Sequence, residues 1–129
     1  LLKKMLMKKL ILQIHENKFV INLRQNKTAE LIKKALPINS QVQKWGDEIF
    51  FNTNITIPLE NHARDVVKLG EIAYWTEGSA IAIGYGKTPV SRGDEIRLIG
   101  PCNIWADASF KRSDFKNINA GDQINLKWE

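Results

Sequence analysis

The apolar residues of this chain come in short alternating runs, each closed after a few residues by glycine, proline or asparagine. Successive side chains in such a run point to opposite faces, which is the period of a strand and not of a helix. Leu10, Leu12 and Ile14 fall on one side, with Ile11 and Gln13 on the other. Phe19, Ile21 and Leu23 likewise stand opposite Val20 and Asn22. The polar Glu16-Asn17-Lys18 between the two runs is a turn signal, so this stretch reads as a β-hairpin. One segment departs from the pattern. Leu31, Ile32, Ala35 and Leu36 recur at helical spacing behind Thr28, a good N-cap, and Pro37 stops them. Lys33 and Lys34 sit near the end of that segment, where the helix dipole favours cations.

The rest of the chain returns to strand spacing. Val42–Trp45 and Glu48–Phe51 flank Gly46-Asp47 as a second hairpin. Residues 54–58, 71–75, 96–99, 103–108 and 123–128 read as further strands, and 114–118 as one helical turn. The run Ala80-Ile81-Ala82-Ile83 is apolar on both faces, so it is expected to be buried. Gly84 and Gly86 remove side chains where another backbone or a ligand would approach. About eight or nine short strands with one helix predict a mainly β fold, a sandwich or barrel. A length of 129 residues, with no repeat or linker, predicts one domain over 8–129. Residues 1–7 are expected to be a disordered or artificial lead, with the true start at Met5 or Met7.

The formal charge of +5 suggests nucleic acid until it is located. Residues 1–44 hold ten Lys/Arg against Glu16 and Glu30, a balance of +8, while residues 45–129 hold nine against twelve, a balance of −3. The four tryptophans lie in the acidic part, away from the cations they would accompany in a stacking groove, so no nucleic-acid partner is expected. Lys8 and Lys9 interrupt the apolar residues near the start, and no run approaches the ~18 residues of a membrane helix. No membrane partner is expected, and a cytoplasmic location, where the lone Cys102 stays reduced, is. One cysteine excludes an intramolecular disulfide and a multi-cysteine zinc site. His15 and His62 have no companion at ligand spacing, so no metal and no cofactor is expected. Ser79 and Ser91 lack a nucleophile elbow. Gly84-x-Gly86-Lys87-Thr88 lacks the spacing of a phosphate loop. Asp47-Glu48 and Asp94-Glu95 follow glycines in turns and read as solvated acids.

The order of motifs adds a resemblance. The run Glu60-Asn61-His62-Ala63-Arg64-Asp65-Val66-Val67-Lys68-Leu69-Gly70-Glu71-Ile72-Ala73-Tyr74-Trp75 continues through Gly78, Ala80 and Ile83 into Tyr85-Gly86-Lys87-Thr88-Pro89-Val90-Ser91. With Trp45–Phe51, Pro101–Ile104 and Gly121-Asp122, it resembles the small prokaryotic cyclophilin-like family from about Lys8 onward. That resemblance implies a closed cyclophilin-like β-barrel of about eight strands with one short α-helix at an end. In isomerases of the superfamily an arginine hydrogen-bonds the proline carbonyl and lowers a rotation barrier of ~18–20 kcal/mol. Their Phe-x-x-x-x-His-Arg type of segment is absent here. Arg64 is the nearest candidate, without the glutamine or phenylalanine partner.

The function expected from these features is a binding module that holds a short peptide or small molecule in an aromatic-lined groove without robust catalysis. Its ligand-binding residues would be Arg64, Tyr74, Trp75, Tyr85 and Phe50, with no catalytic residue assigned. Tyr74 and Trp75 are strand neighbours, so only one of them can line a given surface. Arg64 has a plainer role open to it, a surface pair with Asp65 or Glu60. The alternative is a divergent peptidyl-prolyl cis–trans isomerase. A third class is an interaction protein that forms a homo-oligomer through an exposed strand.

Overall fold

The computed structural model of the chain describes residues 9–129; the expected lead at 1–7 lies outside the described residues. Ten strands form: β1 (Lys9–Ile14), β2 (Asn17–Leu23), β3 (Ile38–Gln41), β4 (Gln43–Lys44), β5 (Glu48–Asn52), β6 (Arg64–Val67), β7 (Glu71–Trp75), β8 (Ala80–Gly84), β9 (Ile96–Asp107) and β10 (Gln123–Trp128). Among the described residues one α-helix, α1, spans Lys27–Ala35, and a 3-10 turn spans Arg112–Phe115. Nine strands follow one path, β3-β10-β1-β2-β9-β7-β8-β5-β4, and β6 pairs with β9 beside it.

The path ends where it began. β3 and β4 are two halves of one extended segment, 38–44, joined at Val42. β3 pairs with β10, and β4 pairs with β5. Val42 donates its N–H to the Asp122 carbonyl at 2.8 Å and accepts the Gly121 N–H at 2.8 Å. The sheet is thereby drawn round into a nearly closed barrel, as the mainly β reading expected.

The alternation of each strand decides what fills it. Leu10, Leu12 and Ile14 of β1 are at most 2% exposed and point inward with Ile21, Phe51, Ile72, Trp105 and Leu126. A second apolar layer lies outside the wall. There Phe50, Ala73, Trp75 and Ala82 are covered by Val67 of β6 and by Ile96, Leu98 and Cys102 of β9. This explains the double-faced run in β8: Ile81 and Ile83 join the barrel core, and Ala82 joins the outer layer. Gly84 has a steric reason to lack a side chain, since a Cβ there would lie 2.5 Å from Cγ2 of Ile96.

Four local expectations are corrected. The first turn is His15-Glu16, with Ile14 paired to Asn17 and His15 at φ 56°. Asn26, not Thr28, caps α1 by accepting the Ala29 N–H at 2.9 Å. Thr28 is buried instead and donates to Glu60. The runs at 96–99 and 103–108 form one strand, because β9 carries its pairing from β6 to β7 and β2 across Gly100-Pro101. Residues 54–58 form no strand and pair with none among the described residues.

Gly84→Ala is expected to lower the unfolding free energy by about 1–3 kcal/mol, the usual cost of overpacking. Urea denaturation reads this directly, and an unchanged midpoint would mean that the β9 cover yields freely.

Candidate functional site

The barrel sends the expected site residues to different places. Tyr74 is 0% exposed, and its hydroxyl donates to the Ile55 carbonyl at 2.6 Å and accepts the Ile57 N–H at 3.3 Å. It fastens the unpaired segment 54–58 to the barrel. Tyr85 is buried and stacks on Phe115 with centroids 4.4 Å apart. Phe50 and Trp75 do meet, edge to face at 6.3 Å, half-buried against the outer layer. Arg64 is tied to Glu71 through both guanidinium ends and donates to the Val66 carbonyl at 3.0 Å. Its carboxylate partner is therefore Glu71, not Asp65 or Glu60. The five residues do not line one aromatic groove, because Tyr74 and Tyr85 face the core.

The open concavity lies at the barrel seam. Gln43 pairs with Phe50 and Lys44 with Ile49, but the ladder stops there. Gln41 and Asn52, the next residues along, are not paired with each other; the Gln43 amide donates instead to the Asn52 side chain at 2.8 Å. Beyond that point β3 and the chain after β5 separate. A groove of about 750 Å³ runs over 39–44, Asn52, Ala120, Gly121 and Gln123. It continues into one of about 350 Å³ between 37–40 and 52–55. A shelf formed by Leu31, Lys34, Ala35, Ile55 and Ile57 extends it along α1.

The groove walls carry main-chain groups as well as side chains. Val42 directs its N–H and C=O toward β10. Antiparallel alternation therefore turns those of Asn39 and Gln41 away from β10, into the groove. β3 ends the strand path, so among the described residues no strand pairs with it on that side. Asn39, Gln41, Gln43, Asn52, Asn54 and Gln123 surround them with side-chain amides, each able to donate and accept. The sequence reading missed this wall. Its signal was the polar alternation Asn39, Gln41, Gln43 upstream of a strand read only from Val42.

Two carboxylates elsewhere have unusual surroundings. Glu71 is 7% exposed. Burial by itself would raise its pKa. Hydrogen bonds from Arg64, from the Lys68 N–H at 2.7 Å and from Arg24 at 2.9 Å outweigh that and hold it down at about 2. Arg24, directly after β2, also grips Asp107 with two bonds of 2.8 Å, so the pair of arginines links the end of β2 with β6, β7 and β9. Glu48 overturns the reading of a solvated turn acid. It begins β5 on the side of Phe50, is 6% exposed, and its Oε1 has no hydrogen-bond partner among the described residues. Burial pushes its pKa up to about 7. Cys102 is a buried thiol that donates to the Gly100 carbonyl at 3.3 Å, and burial pushes it up to about 12. It is accordingly protonated and unreactive at neutral pH.

These shifts predict opposite slopes of stability with pH. Glu71 ionises more readily when folded, so its contribution is present above about pH 4.5 and is lost as pH falls toward 2. Glu48 holds its proton when folded, so stability falls as pH rises from about 4.5 through 7, by about 3 kcal/mol. Glu48→Gln is expected to flatten the upper slope and Glu71→Gln the lower one. Denaturation midpoints across pH check both, and a wild-type curve flat from pH 5 to 7 would refute the Glu48 assignment.

Comparison with known proteins agrees with the architecture. The chain matches the family model described as cyclophilin-like over residues 8–127. It is similar to the solution structure of the hypothetical protein AF2241 from Archaeoglobus fulgidus, at 30% identity, with 95% of each chain covered and a TM-score of 0.79. No curated protein matches it. A family match over nearly the whole chain, together with a nearly closed barrel of the expected kind, means that this chain belongs to the cyclophilin-like family.

Proposed function

We propose that this barrel is a binding module that takes an extended polypeptide segment along the edge of β3. The observation that carries the reading is the pair of outward-facing main-chain positions, Asn39 and Gln41, inside a groove of about 750 Å³. An extended peptide laid there forms ladder bonds to those groups, which is recognition by strand addition. The surrounding amides then hydrogen-bond its remaining main-chain groups and polar side chains. Such a site selects for conformation more than for one sequence. The polar lining argues against a wholly apolar small molecule, which would leave these groups without partners.

Prolyl isomerisation finds less support. Arg64 directs its guanidinium to Glu71 and Val66 and does not border the groove. A second copy of the chain is also a possible occupant, since an unpaired edge invites pairing. β3 has only four residues, which keeps such self-pairing weak.

A short β-forming peptide is expected to shift the backbone amide NMR signals of Asn39, Gln41 and Asn52. Methylating the peptide nitrogens that face β3 is expected to abolish those shifts. Gln41→Pro removes an N–H that points away from β10 and is expected to weaken binding roughly five- to tenfold with the barrel still folded. Shifts centred on Phe50 and Trp75 would instead place the ligand on the outer layer. A mass in solution that doubles with concentration would favour self-pairing.

A further inference from the structure

We propose, resting on the strand-addition reading, that the groove selects acidic polypeptide segments. The argument is electrostatic. Lys44 borders the wide end of the groove and Lys34 borders the helix shelf. Among the described residues no aspartate or glutamate lines any of the three adjoining stretches. Lys44 is held in place by donating one N–H to the Ile118 carbonyl at 3.1 Å, which leaves its other two N–H groups for a ligand. Lys34 is exposed.

Two acids lie near this surface, and one of them, Asp122, is close enough to Lys44 for their charges to interact. Glu30 pairs with Lys33 at 2.9 Å. Asp122, beside Gly121 at the groove wall, accepts from His15 and from the Asn119 N–H, both at 2.7 Å. The wider field has the same sign. Residues 9–44, which build β1 to β4 and α1, hold seven Lys/Arg against two acids, while residues 45–129 carry −3. Of these cations Lys34 and Lys44 border the groove, while Arg24 is held by Asp107 and Glu71.

A peptide fits this chemistry better than a nucleic acid. The groove offers main-chain donors and acceptors at strand spacing and no aromatic face on which a base would stack. An acidic segment would place a carboxylate near Lys44 and an apolar side chain on the shelf of Leu31, Ala35 and Ile55. Charges at such a rim act mainly on association rate and selectivity, and they weaken with salt.

The test uses three blocked peptides on one Thr/Val framework, with Glu, Gln or Lys at the remaining positions, titrated against the full chain at low and at physiological salt. The Glu peptide is expected to bind roughly three- to tenfold more tightly than the Gln peptide at low salt. The Lys peptide should be weakest, and the spread should narrow as salt rises. The double variant Lys34→Gln/Lys44→Gln is expected to bind the Glu and Gln peptides alike. Equal binding of both by the wild type overturns the charge selectivity and leaves strand addition standing. Binding of none of the three overturns strand addition and the selectivity with it. Displacement of the Glu peptide by single-stranded oligothymidylate assigns the basic groove to nucleic acid and overturns the proposal.

Discussion

Barrel closure depends on the segment 38–44. No strand of a small β protein can bury its apolar face alone, and an open sheet leaves two long edges unpaired. Here the two ends of the strand path belong to the same stretch of chain. Val42 is the pivot. Its main chain bonds to Gly121 and Asp122, its neighbours on one side pair with β10, and those on the other pair with β5. Its own side chain is 1% exposed in the core. The barrel interior, with the fully buried Trp105, Tyr74 and Phe51, is closed off because this one segment brings the walls together.

The same closure creates the groove. A four-residue strand followed at once by a two-residue strand must leave one neighbour before it joins the other. Between Gln41 and Asn52 the ladder is interrupted, and the groups that would have paired there face solvent. The chain fills that space with amides rather than apolar residues, so the gap stays wet and the barrel does not collapse across it. Tyr74 holds the far wall from inside by bonding Ile55 and Ile57. The tyrosine expected to touch ligand instead positions the segment that a ligand would meet.

In the outer layer, closeness is set by what is missing. Ala73, Ala82 and Gly84 present a nearly flat outer wall, and β6 with the first half of β9 lies directly on it. Glu48 at the rim of that layer is tolerated because its carboxyl can stay protonated, whereas Glu71 is tolerated because two arginines keep it ionised. These are the two general ways of burying an acid. They explain why neither residue reads as functional from its neighbours in sequence.

Much of this architecture was legible in the chain itself. Period-two alternation in β1, β2 and β10, the apolar helix face at Ile32, the Gly46-Asp47 hairpin and the double-faced run in β8 all follow from local chemistry, because each depends on side chains a few residues apart. The motif order from Glu60 to Ser91 carried the family. Tertiary structure alone decided the rest. Arg64 meets Glu71 because β6 and β7 are joined by a tight turn, and Tyr74 turns inward because of its register against β8 and β9. Glu48 is buried because an outer layer distant in sequence covers its strand. The groove at Asn39 and Gln41 exists because β3 and β5 diverge. Pairing over long sequence separation sets which face of a strand is covered, and no local pattern encodes it.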